Sequence, residues 1–138
     1  KVDFQHIPIC LEADQSKSLK TLRALASTIS KTCSVMDSKD RAVLHLSAVF
    51  ASNFSNHMFT IAKGIMEENE MDYDLLKPLI TETINKSLSS GPEIAQTGPA
   101  KRGDLATLEK QFKALNADAD TAILYKTISQ HILDYYSA

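Results

Sequence analysis

From residue 38 onward, apolar side chains recur at spacings of three and four, and that spacing predicts helix nearly throughout. Val43, Leu46, Phe50, Phe54, Met58, Ile61 and Ile65 form one stripe. Leu44, Ala48, Ala51, Met58, Ala62 and Met66 form a second beside it. Asp37 or Ser38 is placed to cap the start, and no Gly or Pro interrupts the run before Lys63. The pattern therefore predicts one helix to about Asn69, roughly 45 Å long. A helix apolar over most of its circumference is central and buried, or is shared between subunits. Asp72 is expected to cap a further helix to about Leu88, with Leu75, Leu76, Leu79, Ile80, Ile84 and Leu88 inward. Pro78 either kinks this helix or delays its start. Ser89 to Gly103 is expected to be one long loop. Asp104 then caps a helix carrying Leu105, Leu108, Phe112 and Leu115, and a last helix runs from about Asp118 to Tyr136.

The first third reads differently. Ile7-Pro8-Ile9-Cys10-Leu11 is a short β-branched run that predicts a strand, and Cys33 to Met36 a second. Between them, Leu19, Leu22, Leu25, Ala26 and Ile29 predict a helix from Ser16 to Ser30. Together these make a β-α-β unit. A lone unit of this kind cannot cover both faces of its sheet, so the missing cover lies upstream or on another chain. The domain division expected is 1–37 and 38–138. The chain opens on Lys1 rather than Met and shows no leader, so it is expected to be a piece of a longer product.

Composition narrows the class. A net charge of −2, from 15 basic and 17 acidic residues, offers no field for nucleic acid or an anionic membrane. From Ala42 to Ala62, twenty-one residues pass without Asp, Glu, Lys or Arg, a length that could span a bilayer. His45, Ser47, Ser52, Asn53, Ser55, Asn56, His57 and Thr60 within it favour a helix buried in protein. Cys10 and Cys33 lack metal-ligand spacing and read as reduced, buried thiols of a cytoplasmic protein.

Most catalytic patterns are absent. His45 and His57 lie about 120° apart on an ideal helix and cannot share a metal, so no metal site is expected. Gly98 to Gly103 has the glycine spacing of a phosphate loop but continues as Asp104-Leu105. Arg102-Gly103-Asp104 matches a cell-adhesion tripeptide by chance. Two features remain. His45, Ser52, Asn53, Asn56 and Thr60 make a narrow uncharged stripe, either polar groups satisfied inside a bundle or donors and acceptors lining a cleft for a small molecule. Thr97 to Asp104 is either a tight turn with a cap, or a site where Arg102 and backbone N–H groups meet a carboxylate or phosphate.

Three blocks carry a resemblance: Arg41-x-x-x-His45-Leu46-x-Ala48-Val49-Phe50-Ala51-x-Asn53-Phe54, then Pro78-Leu79-Ile80-x-x-Thr83, then Gln96-Thr97-Gly98-Pro99-Ala100-x-Arg102-Gly103-Asp104. In this order they resemble a bacterial family of Rossmann-like proteins with a C-terminal helical domain of unknown function. That family is similar to pyrroline-5-carboxylate reductase and the wider 6-phosphogluconate dehydrogenase group. The fold implied is mainly α: a helical bundle of the 6-phosphogluconate dehydrogenase C-terminal type with one long central helix. Residues 1–37 would be a β-α-β remnant of the Rossmann-like domain ahead of it. The resemblance implies an NAD(P)-dependent oxidoreductase, NADP or NAD serving the whole protein, with this chain as substrate side and homodimer interface. It implies His45 and Asn53 as catalytic residues, and Ser52, Asn56, Thr97 and Arg102 as substrate contacts. Relatives that oxidise hydroxyacids place a Lys four residues before such an Asn, where this chain has Val49, so that acid-base scheme does not transfer. The dinucleotide fingerprint G-x-G-x-x-G is absent, so the chain alone is not expected to turn over. The alternative is a non-catalytic helical dimerisation or interaction module.

Overall fold

The computed structural model describes residues 3–115 and 118–137. Lys1 and Val2, where the missing leader was read, lie outside these, as does Ala138 at the end of the expected second domain. The chain is mainly helical with a small two-stranded parallel sheet. It divides into two units, Lys1–Thr60 and Ile61–Ala138.

In the first unit, β1 (Ile9–Leu11) pairs in parallel with β2 (Cys33–Val35), and α1 (Ser16–Ala26) connects them. The register sets Ile9 against Cys33, Cys10 against Ser34 and Leu11 against Val35. Because side chains alternate along a strand, Cys10 and Cys33 point to opposite faces of the sheet. Both thiols are free and only half-buried, not buried as expected. The helix α1 also ends four residues earlier than its apolar pattern suggested. Ser30, buried at 3% exposure, takes over the connection. Its hydroxyl lies 2.5 Å from the Ile7 carbonyl, to which it donates, and accepts the Thr32 N–H at 3.0 Å. A buried hydroxyl satisfied on both sides fixes the turn into β2 where a further helical turn would leave it unpaired.

Helix α2 (Ser38–Ala48) starts where expected, with the Asp37 carboxylate accepting the Asp40 N–H at 2.8 Å. The uninterrupted α-helix beyond it is a correction. Val49–Phe54 form a π turn before α3 (Ser55–Glu68) resumes ordinary winding. The burial expected of this segment is also not met within the chain. Val43, Leu46 and Phe50 are 60% exposed or more. Glu70, at a left-handed φ of +54°, and the Met71 N–H bonding back to the Met66 carbonyl at 2.8 Å close the segment.

In the second unit, Asp72 caps a short 3-10 turn, Tyr73–Leu76, and α4 (Lys77–Ser90) begins only there. Pro78 occupies the first turn of α4, where its missing N–H costs nothing, so it delays the helix rather than kinking it. The long loop expected from Ser89 is shorter, because Pro92–Ala95 wind into α5. Helices α6 (Leu105–Ala114) and α7 (Ala119–Tyr136) follow, capped by Asp104 and Asp118. Ala100, Leu108 and Ala122 are the buried apolar side chains described in this unit. No helix among the described residues is long and apolar enough to cross a membrane.

Candidate functional site

The uncharged stripe sits on one helical segment of the first unit. His45 is in α2, Ser52 and Asn53 are in the π turn, and Asn56 and His57 open α3. All five side chains are exposed. The hydroxyls of Ser47, Ser55 and Thr60 instead bond to their own helix, at the carbonyls of Val43 (2.9 Å), Phe50 (3.2 Å) and Asn56 (3.3 Å). Thr60 thus leaves the stripe, its hydroxyl spent locally.

The π turn changes which residues share a face. A turn closed by i to i+5 bonds holds one residue more than an α turn, so everything after it slips by about one position, or about 100°. Ser55, whose hydroxyl reaches the carbonyl five residues back, follows this winding. In an α-helix Ser52 would stand in line with His45; with the π turn Asn53 does. His57 moves from about 120° to about 20° from the His45 line. Asn56 moves away to about 80°. Along the axis His45 still lies about 12 Å from Asn53, so the two expected catalytic residues share a face without being neighbours.

Arg41, four residues before His45, is occupied structurally: its guanidinium pairs with Glu12. Sequence reading missed Glu12, for nothing local marks a carboxylate that pairs 29 residues away.

Thr97 and Arg102 belong to the second unit, in the loop from Gln96 to Asp104. Gly98 (φ +104°) and Gly103 (φ +67°) hold the left-handed conformations that bend it. The amides at its end are consumed internally: Arg102 N–H donates to the Gly98 carbonyl at 3.4 Å, Gly103 N–H to that of Ala100 at 3.1 Å and Asp104 N–H to that of Pro99 at 3.0 Å. At the start of α6, Leu105 N–H donates to the Gly103 carbonyl at 2.9 Å and Thr107 N–H to the Asp104 carboxylate at 3.1 Å. The exposed Arg102 guanidinium is the charged group that the loop offers for recognition. The Asp104 carboxyl is held below its ordinary range, first by the Thr107 hydroxyl, then by the Thr107 N–H, with a smaller pull from the Arg102 charge. With its carboxylate spent on the cap, Asp104 does not present the Arg-Gly-Asp tripeptide as a ligand.

Lys101 anchors the same loop. Its ammonium donates to the Glu93 carbonyl at 3.3 Å and stands 4.8 Å over the Tyr136 ring. Desolvation, with Tyr135 and Glu93 nearby, raises the Tyr136 hydroxyl above its ordinary range.

The class that the fold defines is a mainly helical domain led by a β-α-β unit, with an exposed neutral face on one helical segment. The chain belongs to the family described as Domain of unknown function (DUF2520), which matches residues 7–132. Its structure is similar to that of BF3122 from Bacteroides fragilis, described as a "putative NADP oxidoreductase", at TM-score 0.93 and 37% identity over 97% of this chain. It is also similar to protein TM1727 from Thermotoga maritima, at TM-score 0.78 and 26% identity over 97% of this chain. The chain spans 52% and 55% of those two proteins, about half of each. No curated protein matches.

Proposed function

We propose that this chain is the substrate-side and dimerisation part of an NAD(P)-dependent oxidoreductase of the cytoplasm, with β1, α1 and β2 completing a Rossmann-like domain. The observation that supports this most is the likeness to the Bacteroides fragilis protein over 97% of this chain, at 37% identity. When bound, a reduced nicotinamide supplies a hydride. Nothing in this chain has the glycine fingerprint for the pyrophosphate, so that contact falls to the rest of the protein. The exposed, uncharged face with Asn53 suits instead the amide-bearing ring and a small carbonyl or imine substrate. In this reading Asn53 hydrogen-bonds the substrate, and Ser52 and Asn56 border it. The imidazoles of His45 and His57 are the proton-exchanging groups of the segment, while Thr97 and Arg102 meet an anionic group.

The experiment uses the full-length protein, with NADPH binding followed by fluorescence and keto acids and cyclic imino acids tested as substrates. Asn53→Ala and Arg102→Ala are expected to abolish substrate binding while the fold is retained. Variants that change stability alone would overturn the reading. They would favour a non-catalytic dimerisation module, which the exposure of Val43, Leu46 and Phe50 also suits. A homodimer is expected under either reading, and a monomer in light scattering at tens of micromolar would refute it.

A further inference from the structure

We propose that His57 is the general acid that protonates the substrate atom held by Asn53, the place the family resemblance gives to His45. This rests on the oxidoreductase reading and deepens it by naming the acid and the class of substrate, a small carbonyl or imine compound.

Three observations converge on His57. A general acid must come within about 3 Å of the atom it protonates. Asn53 and His57 are four residues apart on one helical segment, a spacing that sets β-carbons about 5–6 Å apart, so an imidazole and a carboxamide can meet at one atom. His45 is about 12 Å away along the axis, too far to share that atom. Second, α3 resumes ordinary winding at Ser55, so Asn53 and His57 stay on one face, as they would with or without the π turn at Val49–Phe54. Third, the chemistry has few alternatives: His45 and His57 are the titratable side chains between Arg41 and Lys63. Both the His57 ring and the Asn53 carboxamide are exposed, and neither bonds to another side chain among the described residues.

The step balances with the reduced nicotinamide as the two-electron donor. Hydride reaches the carbon of the C=O or C=N bond, and the π electron pair moves to oxygen or nitrogen. That atom, already accepting the Asn53 N–H, takes the proton from the His57 imidazolium. A neutral imidazole remains, and its exposure lets water return the proton.

The test is nitrogen NMR of the histidine rings and the Asn53 carboxamide in the full-length protein saturated with NADP+. Two planar probes that are not reduced, oxamate and pyrrole-2-carboxylate, stand in for a keto acid and a cyclic imino acid. The expected result is that one probe shifts the His57 ring and the Asn53 carboxamide together, and that Asn53→Ala removes the His57 shift. His57→Gln, checked for fold by circular dichroism, is expected to cut turnover about 100-fold while probe affinity stays within about threefold. If Asn53 shifts together with His45 while His57 stays still, the assignment to His57 falls and the oxidoreductase reading stands. If neither probe moves Asn53 or either ring, both fall.

Discussion

The carboxylate of Glu12, one residue beyond β1, receives both the backbone N–H and the hydroxyl of Ser38, the first residue of α2, at 3.0 and 2.9 Å. Arg41 closes on the same carboxylate from one turn further along. The end of the strand and the start of the helix that carries His45 are thereby held as one piece. A carboxylate at a helix N-terminus also meets the positive end of the helix dipole.

Replacing Glu12 with Ala removes these acceptors and leaves Arg41 unpaired. The Glu12 side chain is 32% exposed, so water screens part of the interaction. The expected loss is about 1 kcal/mol, read as a lower urea midpoint with amide exchange rising first at the start of α2.

Leu108 on α6 is a buried side chain, 9% exposed, in a unit with few others described. Leu108→Ala should cost about 2–3 kcal/mol, because the neighbouring helices cannot collapse fully onto the missing volume. A urea denaturation showing less than half that loss would mean that the α6 face packs more loosely than described.

Acid should loosen the starts of α6 and α7 together. The carboxyls of Asp104 and Asp118 are both lowered, each first by a hydroxyl, that of Thr107 or Thr121, and then by the same residue's N–H. A folded pKa below the unfolded one stabilises above the unfolded value, about pH 4, and that stability is lost as pH falls through the folded value. Protection of the Thr107 and Thr121 amides from exchange, taken relative to the intrinsic rate at each pH, is expected to hold at neutral pH and to fall below about pH 4. Asp104→Ala should leave Thr107 poorly protected at every pH and the response of Thr121 intact.

Gly64 lies inside α3, and a Cβ built on it meets nothing within 4 Å. Gly64→Ala should therefore stabilise the chain by about 0.5–1 kcal/mol, through reduced freedom of the unfolded state and better helix propensity. The check is a thermal melt. A lower melting temperature would mean that another surface approaches the helix closely at this point.

How much was legible varies with the range of the interaction. The caps at Asp37, Asp72 and Asp104 were readable because a cap is made within three residues; that at Asp118 was passed over, only the start of its helix being read. The delayed start of α4 was among the readings Pro78 allowed, since proline is tolerated at a first turn and rarely beyond it. The helical turn at Pro92 carried the same signal within Gly91-Pro92-Glu93, but two glycines further on outweighed it. The candidate residues His45, Ser52, Asn53, Asn56, Thr97 and Arg102 were named from type, spacing and the family resemblance. Their mutual geometry was not, and His57 was set aside on an ideal-helix angle that the π turn alters.

The amino-acid sequence by itself determined the helical class, the β-α-β start, the caps at Asp37, Asp72 and Asp104 and the uncharged stretch from Ala42 to Ala62, because each follows from periodicity or from bonds between near neighbours. Only the tertiary structure decided the π turn, the Glu12 clamp on Ser38 and Arg41, and the burial of Ser30. Phe50, Phe54 and Met58 keep the spacing of an ordinary helix whether or not an extra residue is wound in. A carboxylate 26 residues from its hydroxyl partner leaves no periodic trace. Such features depend on which surfaces the folded chain brings together, and no local pattern encodes that.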